Sequence, residues 1–276
     1  RPLLETKTMD LKLCWVLATV ALVSDAGVLR ASRIAPSRYI LSNPGRCGRP
    51  SRQSVRFGDM AGKVDKSSFV QTEMRRAAMK LHTRDQSKEG EQEKQKPISQ
   101  WEMKKESVLR FLVDSKVIHS TLDRLVSEYP ELSKLDEASS RIDRVPAIDV
   151  DIANIVKENP ELEVPAPGAD AVEYAQKLEQ LAQESRPAFI CHFYNTHFAH
   201  AAGGRMIGKL ISDRLFDGET LEFYKYGGAE PKELLEQVRV EIDNLANGWG
   251  PDERQMCVEE TANAFKGAGT VLKNLK

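Results

Sequence analysis

The stretch Phe189–Ile211 reads FICHFYNTHFAHAAGGRMIGKLI and is the most unusual helical segment of the chain. Apolar residues run through it, yet Gly203 and Gly204 stand side by side in its interior. Each glycine costs about 1 kcal/mol relative to alanine in a helix. The pair therefore predicts a kink or a close approach of the backbone to something flat. Tight packing between helices would also explain the glycines, and both interpretations stay open on this feature alone.

Three of the five histidines of the chain lie in the same segment, at His192, His197 and His200. On an ideal helix His197 and His200 are about 60° apart, so a metal pair is conceivable. No HExxH pattern or carboxylate partner accompanies them, which argues against it. Another histidine, His82, is predicted at the end of an earlier helix, where an imidazole is more often structural than a ligand.

From about residue 65 onward the chain is predicted to be helical, because strand patterns are scarce and apolar residues recur at spacings of three and four. We expect a first helix that ends near His82, and further helices at 99–129, 172–185, 188–216, 231–247 and 251–275. The polar stretch 83–97 predicts a solvated helix end or loop. Residues 130–170, rich in proline and acid, predict connecting loops with short helical turns. The predicted class is all-α, with one domain at 62–276.

Composition excludes several classes of protein. The chain has 276 residues, 41% hydrophobic and 29% charged, and 40 Lys and Arg against 41 Asp and Glu give a net charge of −1. These values are typical of a soluble globular protein and argue against a nucleic-acid binder. No apolar run approaches the ~20 residues of a membrane span. The four cysteines form no CxxC pair, so neither a disulfide scaffold nor a zinc site is indicated.

Charge is unevenly distributed. Residues 1–60 contain ten bases and four acids, which leaves a net charge of −7 for residues 61–276. From Met9, the expected initiator, a short start leads into a dozen mostly apolar residues, typical of a signal peptide. Residues 27–57 then contain seven arginines, five serines and no acid, typical of a transit peptide. A disordered basic tail is the alternative.

We therefore expect a targeting region at 1–61, with a signal peptide at about 9–26 and a transit peptide at about 27–61. This two-part address predicts the stroma of a plastid (chloroplast) with additional bounding membranes. The charge step between the basic head and the acidic body marks the same boundary.

Longer motifs resemble a known family. Residues 73–86, EMRRAAMKLHTRDQ, followed by Lys88-Glu89-Gly90, resemble the proximal-helix motif of plant-type heme oxygenases. The segment quoted first resembles their distal helix, and LEFYK at 221–225 continues the similarity toward the C-terminus. The resemblance covers about residues 65–276 and is weakest over 130–170. It implies an all-α heme oxygenase fold, with heme held between the proximal and distal helices.

The resemblance also implies roles for individual residues. His82 matches the proximal ligand of the heme iron, and Gln86 matches a place from which a side chain can hydrogen-bond the other ring nitrogen. Gly203 and Gly204 match the distal pair that lets the backbone lie against the heme face. The residues that match donors to the heme propionates are Arg75, Tyr194 and Arg239. A further propionate lysine is replaced by Leu235, so Lys232 is the alternative.

His200 departs from the animal members of the family, which carry an aspartate there that organises water near bound oxygen. Plant-type members resemble this chain in having histidine. We expect His200 to tune the proton network without being strictly essential, and Asn195 or ordered water to supply part of that network.

The resemblance implies that heme b is both cofactor and substrate, opened with O2 to biliverdin, usually the IX-alpha isomer, with release of CO and ferrous iron for bilin chromophore synthesis. Reduced ferredoxin is the expected electron donor, a bilin reductase is a candidate partner downstream, and a monomer is expected. An acidic ferredoxin would need a basic dock, for which the candidates are Arg205, Lys209, Lys225 and Lys232.

Two alternatives come from other classes. A heme- or tetrapyrrole-binding regulator without turnover is one, although the non-catalytic plant paralogues lack the proximal histidine that His82 matches. The other is an unrelated use of the same scaffold, since fold does not fix function. A thiamin-hydrolysing family shares that scaffold, but Cys191 lacks the local signature of a nucleophile.

Overall fold

The computed structural model describes residues 67–87 and 100–276, and for residues 82–87 it describes the helical backbone alone. The predicted targeting region at 1–61 lies outside the described residues, as does most of the predicted polar stretch 83–97. None of the helices in the described ranges is both long enough and apolar enough to cross a bilayer.

Regular structure in the described residues is helical throughout, which confirms the predicted all-α class. The α-helices are α1 (Arg75–Ser87), α2 (Lys105–Glu128), α3 (Ser133–Ser139), α4 (Val145–Glu158), α5 (Ala169–Glu184), α6 (Arg186–Ala199), α7 (Arg205–Leu215), α8 (Pro231–Ala246), α9 (Pro251–Glu259) and α10 (Thr261–Ala268). Five-residue π-helical turns precede α1 at Val70–Met74 and α7 at His200–Gly204, and 3-10 turns lie at Pro130–Leu132, Ser140–Ile142, Glu222–Tyr224 and Thr270–Leu275.

The core forms around α2 and α6. Helix α2 packs against α4, α5 and the C-terminal 3-10 turn, and α6 packs against α5, α9 and α10. Helix α2 is amphipathic, and its fully buried residues include Val108, Leu112 and Leu122, as its apolar periodicity predicts. Nearly every residue of α6 is buried, which is typical of a helix in the centre of a protein. Its N-terminus is capped by the Ser185 hydroxyl, which accepts from the backbone N–H of Ala188 at 3.3 Å.

Several predicted boundaries were wrong. The first helix continues past His82 to Ser87, and the second begins at Lys105 instead of residue 99, because Lys104 is in an extended conformation. Residues 130–170 contain the 14-residue helix α4. Its proline, Pro146, lies in the first helical turn, where proline is tolerated.

Two other predicted helices are interrupted in the structure. The one at 188–216 is interrupted by the π-turn His200–Gly204. The one at 251–275 breaks after Glu259, where the Thr261 hydroxyl donates to the carbonyl of Val258 at 2.8 Å. Such local side-chain bonds compete with a continuous helix.

Candidate active site

The glycine pair lies in a π-turn between α6 and α7. Gly204 has ordinary right-handed helical angles, so its backbone conformation does not call for glycine, and only the space around it can. A Cβ at Gly204 would lie 3.2 Å from His200 Nδ1, and one at Gly208 would lie 2.5–2.8 Å from the Tyr224 ring. The Tyr224 ring therefore packs closely against the helix backbone at Gly208, and the close approach expected at the pair Gly203–Gly204 stays a prediction.

His200 is fixed by a stack of aromatic rings. Its ring lies 4.1 Å from the Phe223 ring and 5.0 Å from the Tyr224 ring, both nearly parallel to it. Burial lowers the pKa of His200 to about 3, so the imidazole is neutral. Its Nε2–H donates to the carbonyl of Phe223, 2.8 Å away. A neutral imidazole has one donor and one acceptor, so Nδ1, which faces Gly204, is an acceptor.

A carboxylate on α4 holds this stack in place. Asp151 accepts hydrogen bonds from the backbone N–H groups of Glu222 and Phe223, both at 2.8 Å. Burial raises the pKa of Asp151 to about 6, although the two backbone donors oppose that shift. Asp151 thereby orients the Phe223 carbonyl, which accepts the hydrogen bond from His200 Nε2–H. The motif LEFYK at 221–225 thus supplies the backbone and the rings that hold His200.

A small cavity lies beside the π-turn. Its volume is about 40 Å³, which is room for about three water molecules. Most of its wall is apolar, with polar atoms from a few side chains. The lining includes Ser115, His119, Thr196, His200, Gly204, Phe223 and Tyr224. The few polar atoms in this wall can hold and orient water beside the backbone of the π-turn.

Tyr194 and Arg239, two of the predicted propionate contacts, are brought together. Arg239 Nε donates to the Tyr194 hydroxyl at 3.0 Å, and its guanidinium also pairs with Glu236. Burial raises the pKa of Tyr194 above its usual value, so the phenol remains a neutral donor. Helix α8, which carries Arg239, packs against the π-turn. The pair places a phenol and a cation where they could bind a carboxylate together.

Other predicted residues are placed apart from this cavity. Asn195 turns back along α6, where its Nδ2 donates to the carbonyl of Cys191 at 2.8 Å, so Thr196 lines the cavity in its place. Arg75 is exposed at the start of α1. The roles of both residues stay predictions. His82 and Gln86 lie in α1, which packs against α10, but their side chains lie outside the described part of the chain.

Sequence reasoning missed the polar residues that α2 and α4 contribute. The sequence predicts a loop around Asp151, and the patterns used above single out neither His119 nor Asp123. A signal was present, since His119 and Asp123 are four residues apart and share one face of α2. Leu122 and Val126 beside them are buried and apolar, and polar residues among such neighbours point to a specific environment.

The fold and the site together define an all-α protein in which a helix opens into a glycine-containing π-turn beside a phenol–guanidinium pair. A profile of the heme oxygenase family matches residues 70–274, and the chain belongs to this enzyme family. It is plant-type, as its motifs imply.

Chloroplastic plant proteins are among its relatives. The chain is 39% identical over 213 residues to heme oxygenase 1, chloroplastic, of Arabidopsis thaliana, which covers 76% of this chain and 74% of that protein. Heme oxygenase 1, chloroplastic, of Oryza sativa subsp. japonica is 39% identical over 208 residues, 75% of this chain and 71% of that protein. A probable inactive heme oxygenase 2, chloroplastic, of Arabidopsis thaliana is 35% identical over 173 residues, 63% of this chain and 57% of that protein.

Solved structures agree on the fold. Heme oxygenase-1 from the cyanobacterium Synechocystis sp. PCC6803, in complex with heme, superposes with a TM-score of 0.55 at 18% identity, covering 65% of this chain and 81% of that one. Heme oxygenase 2 from Chlamydomonas reinhardtii, without heme, gives a TM-score of 0.52 at 16% identity, covering 61% and 82%. At these identities the similarity shows the fold alone.

Proposed function

We propose that this chain is a catalytic plastid heme oxygenase, which converts heme b to biliverdin IX-alpha with release of CO and ferrous iron. The observation that carries the proposal is the His200–Gly204 turn, in which a neutral imidazole fixed by Phe223 faces a glycine backbone beside a small, mostly apolar cavity. Bound heme supplies the iron and the ring that is oxidised, and O2 is the second substrate.

The residues fit such a ligand. Gly203 and Gly204 present a backbone surface without side chains, suited to a flat ring. Tyr194 and Arg239 form a donor pair suited to a carboxylate on its rim. In this arrangement His82 would hold the iron through a neutral imidazole, with Gln86 fixing its tautomer, and Arg75 would be a further propionate contact.

His200 would orient water without donating a proton itself. Its Nε2 proton is committed to the Phe223 carbonyl, and its Nδ1 is an acceptor at neutral pH. It can therefore align a water molecule in the cavity, and that water can pass its other proton toward the ligand. Asn195 is expected to act on this network only through a rearrangement, because its amide is bonded within α6.

The site is tested by titrating residues 62–276 with hemin and then adding reduced ferredoxin in air. We expect a 1:1 complex whose Soret band bleaches as biliverdin absorption appears. His82→Ala should abolish that conversion. A Soret band that survives the reductant would favour the second candidate, a heme- or tetrapyrrole-binding regulator, for which the similarity to a probable inactive relative is the motivating observation.

The variant His200→Ala tests whether His200 only tunes the proton network or is essential for turnover. We expect turnover to fall about tenfold, less than for a lost acid–base group because His200 orients water without donating a proton, with unchanged hemin affinity. Complete loss of turnover with normal hemin binding would contradict the role given to His200. Arg75→Gln and Arg239→Gln should instead weaken hemin binding, since each would remove a cation from the propionates.

Reduced ferredoxin is the proposed electron donor, docking on the basic side chains near the site. Arg205 and Lys225 line an open surface cleft of about 370 Å³ with Tyr226. Lys209 and Lys225 form exposed pairs with Asp213 and Glu222, which are weak enough to be exchanged for a partner's acids. Charge reversal at Arg205 or Lys232 should slow electron transfer and remove its dependence on salt.

The proposed location is the plastid stroma, with the two-part address at 1–61 as the signal. The chloroplastic relatives support a plastid, and the order of the two segments supports a complex one. A fluorescent protein carrying residues 1–61 should reach the stroma of a complex plastid. The same fusion without residues 9–26 should remain outside it. We further propose that the protein is a monomer and that a bilin reductase uses the biliverdin it forms.

A further inference from the structure

Three of the histidines meet where α2, α6 and the π-turn come together. The ring of His119 lies 5.2 Å from that of His197 and 5.9 Å from that of His200, measured between ring centroids. All three side chains are buried. The mechanism proposed above uses His200 alone, so the other two imidazoles require an explanation of their own.

Polar atoms without partners concentrate at this junction. Among the described residues, His119 Nδ1, His197 Nε2 and Asp123 Oδ2 are buried and have no hydrogen-bond partner. Native proteins rarely keep such atoms unpaired unless a ligand, a water molecule or a function accounts for them. His197 Nε2 lies 3.7 Å from Asp123 Oδ1, a gap that one water molecule or a small side-chain rotation would close.

These groups form a row from the surface to the cavity. The side chain of Asp123 is 26% exposed, whereas that of His197 is 2% exposed. His119 comes next and lines the same cavity as His200 and Gly204. The row therefore begins in contact with solvent and ends at the wall beside the candidate site.

The charge states suit the passage of protons. Burial, with the carboxyl of Asp143 close by, raises the pKa of Asp123 to about 8, so this carboxyl holds a proton at neutral pH. Burial lowers the pKa of His197 to about 3 and that of His119 well below its usual value. Each neutral imidazole can accept a proton on one nitrogen and release one from the other. The remaining groups that face the row are Asp136, Asp143, Arg144 and His200.

We propose that Asp123, His197 and His119 form a proton path from solvent to the cavity beside His200 and Gly204. The proposal rests on the proposed function, since ring opening consumes protons at that cavity. In one passage the Asp123 O–H gives its proton to His197, the other nitrogen of His197 gives one to His119, and His119 gives one to water in the cavity. Solvent then reprotonates Asp123. No electrons move, and each group ends with the number of protons it had.

A metal site is the competing interpretation of buried histidines with an aspartate. Among the described residues, however, no three His, Cys, Asp or Glu side chains converge as the ligands of one metal ion must. The row is extended instead, which suits successive transfers. Zn²⁺ binding is nevertheless a measurable outcome of the test.

The variants His197→Phe and Asp123→Asn test the path, with His192→Phe as the matched control. His192 is also buried in α6, but its two nitrogens contact Tyr174 and Glu260 instead of members of the row. In the two test variants we expect unchanged hemin affinity, biliverdin formation slowed by about 100-fold, and a larger solvent deuterium isotope effect. The control should keep the wild-type isotope effect in the folded enzyme. Wild-type rates and isotope effects in both test variants would overturn the path.

A second measurement does not depend on turnover. In heme-free protein labelled with ¹⁵N-histidine, the imidazole signals of His119 and His197 should shift as Asp123 ionises near pH 8, and Asp123→Asn should remove that step. Absence of the step in the wild type would overturn the path, as would stoichiometric binding of Zn²⁺ through these imidazoles. If the wild type makes no biliverdin, the proposed function fails. The pH titration of the imidazole signals then decides by itself whether Asp123 exchanges protons with His197 and His119.

Discussion

The two halves of α6 each contain a buried histidine, but the two histidines differ in their hydrogen bonding. In the first half, His192 lies between two partners, with Nδ1 2.7 Å from the Tyr174 hydroxyl and Nε2 3.0 Å from Glu260 Oε1. In the second half, His197 is equally buried, but its Nε2 has no hydrogen-bond partner and lies 3.7 Å from Asp123.

The difference separates two uses of one residue type. A buried imidazole with both nitrogens paired adds to stability, whereas an unpaired nitrogen reduces it. The paired His192 therefore stabilises the first half of α6. In the second half, which leads into the π-turn, the unpaired nitrogen of His197 lowers the free energy of unfolding. Such local concessions are expected at functional sites.

The largest effect should come from breaking the first half. We expect His192→Phe to lower the free energy of unfolding by about 3–4 kcal/mol, because Tyr174 and Glu260 would both lose a buried hydrogen bond. Urea unfolding followed by circular dichroism measures this. A loss below about 1 kcal/mol would show that the two halves of α6 do not differ in this way.

Next in size is the contact that supports the His200 stack. Gly208→Ala should cost about 2 kcal/mol, because the new Cβ would lie 2.5–2.8 Å from the Tyr224 ring and must displace it. Gly248→Ala is the control, since its Cβ would meet nothing closer than 3.5 Å. Equal stability of the two variants would mean that Tyr224 moves without resistance.

Asp123→Asn should change stability in the opposite direction. The folded protein keeps the Asp123 proton up to about pH 8, whereas the unfolded chain releases it near pH 4. The wild type therefore loses stability as pH rises between these values. At pH 8 we expect the variant to be more stable by about 1–2 kcal/mol, discounted for partial exposure.

Thermal unfolding at pH 5 and pH 8 checks this expectation. The advantage of the Asp123→Asn variant should be small at pH 5 and should grow toward pH 8. An advantage that does not depend on pH would assign the effect to packing instead of ionisation.

The smallest effect is expected at the second half of α6. At pH 7, His197→Phe should change the free energy of unfolding by less than about 1 kcal/mol, because it removes an unpaired nitrogen and keeps the ring contact with Phe193. The pKa of His197 is about 3 in the folded protein, against 6.5 when unfolded. The wild type therefore loses stability as pH falls below 6.5, and the variant should lose less. Identical acid unfolding curves would contradict this.

The sequence predicted the helices that carry clear boundary signals. Prolines at the starts of α8 and α9 marked both helices correctly, because proline fits the first turn and rarely fits a later one. The glycine pair marked the interruption after α6. It did not predict a π-turn, because two adjacent glycines are compatible with a kink, with a close backbone contact or with both.

The missed features depend on tertiary contacts. Helix α4 was read as loop because its local composition is rich in proline and acid, yet Asp151 is buried where it receives two backbone hydrogen bonds. The direction of Asn195 depends on a bond within its own helix. The relation of Asp123 to His197 joins α2 to α6 across 74 residues of sequence, which no local pattern encodes.

Both π-turns stand at the start of a helix proposed to face the heme, Val70–Met74 before α1 and His200–Gly204 before α7. Such a turn contains one more residue than an α-helical one. It rotates everything after it by about 100° relative to an uninterrupted helix. Removing a single alanine from His200–Gly204 would leave a continuous helix in which Gly208 still faces Tyr224, whereas a continuous helix of the full sequence would turn Gly208 away from that ring. The one extra residue in the π-turn thus decides in which direction the side chains of α7 point around the helix axis.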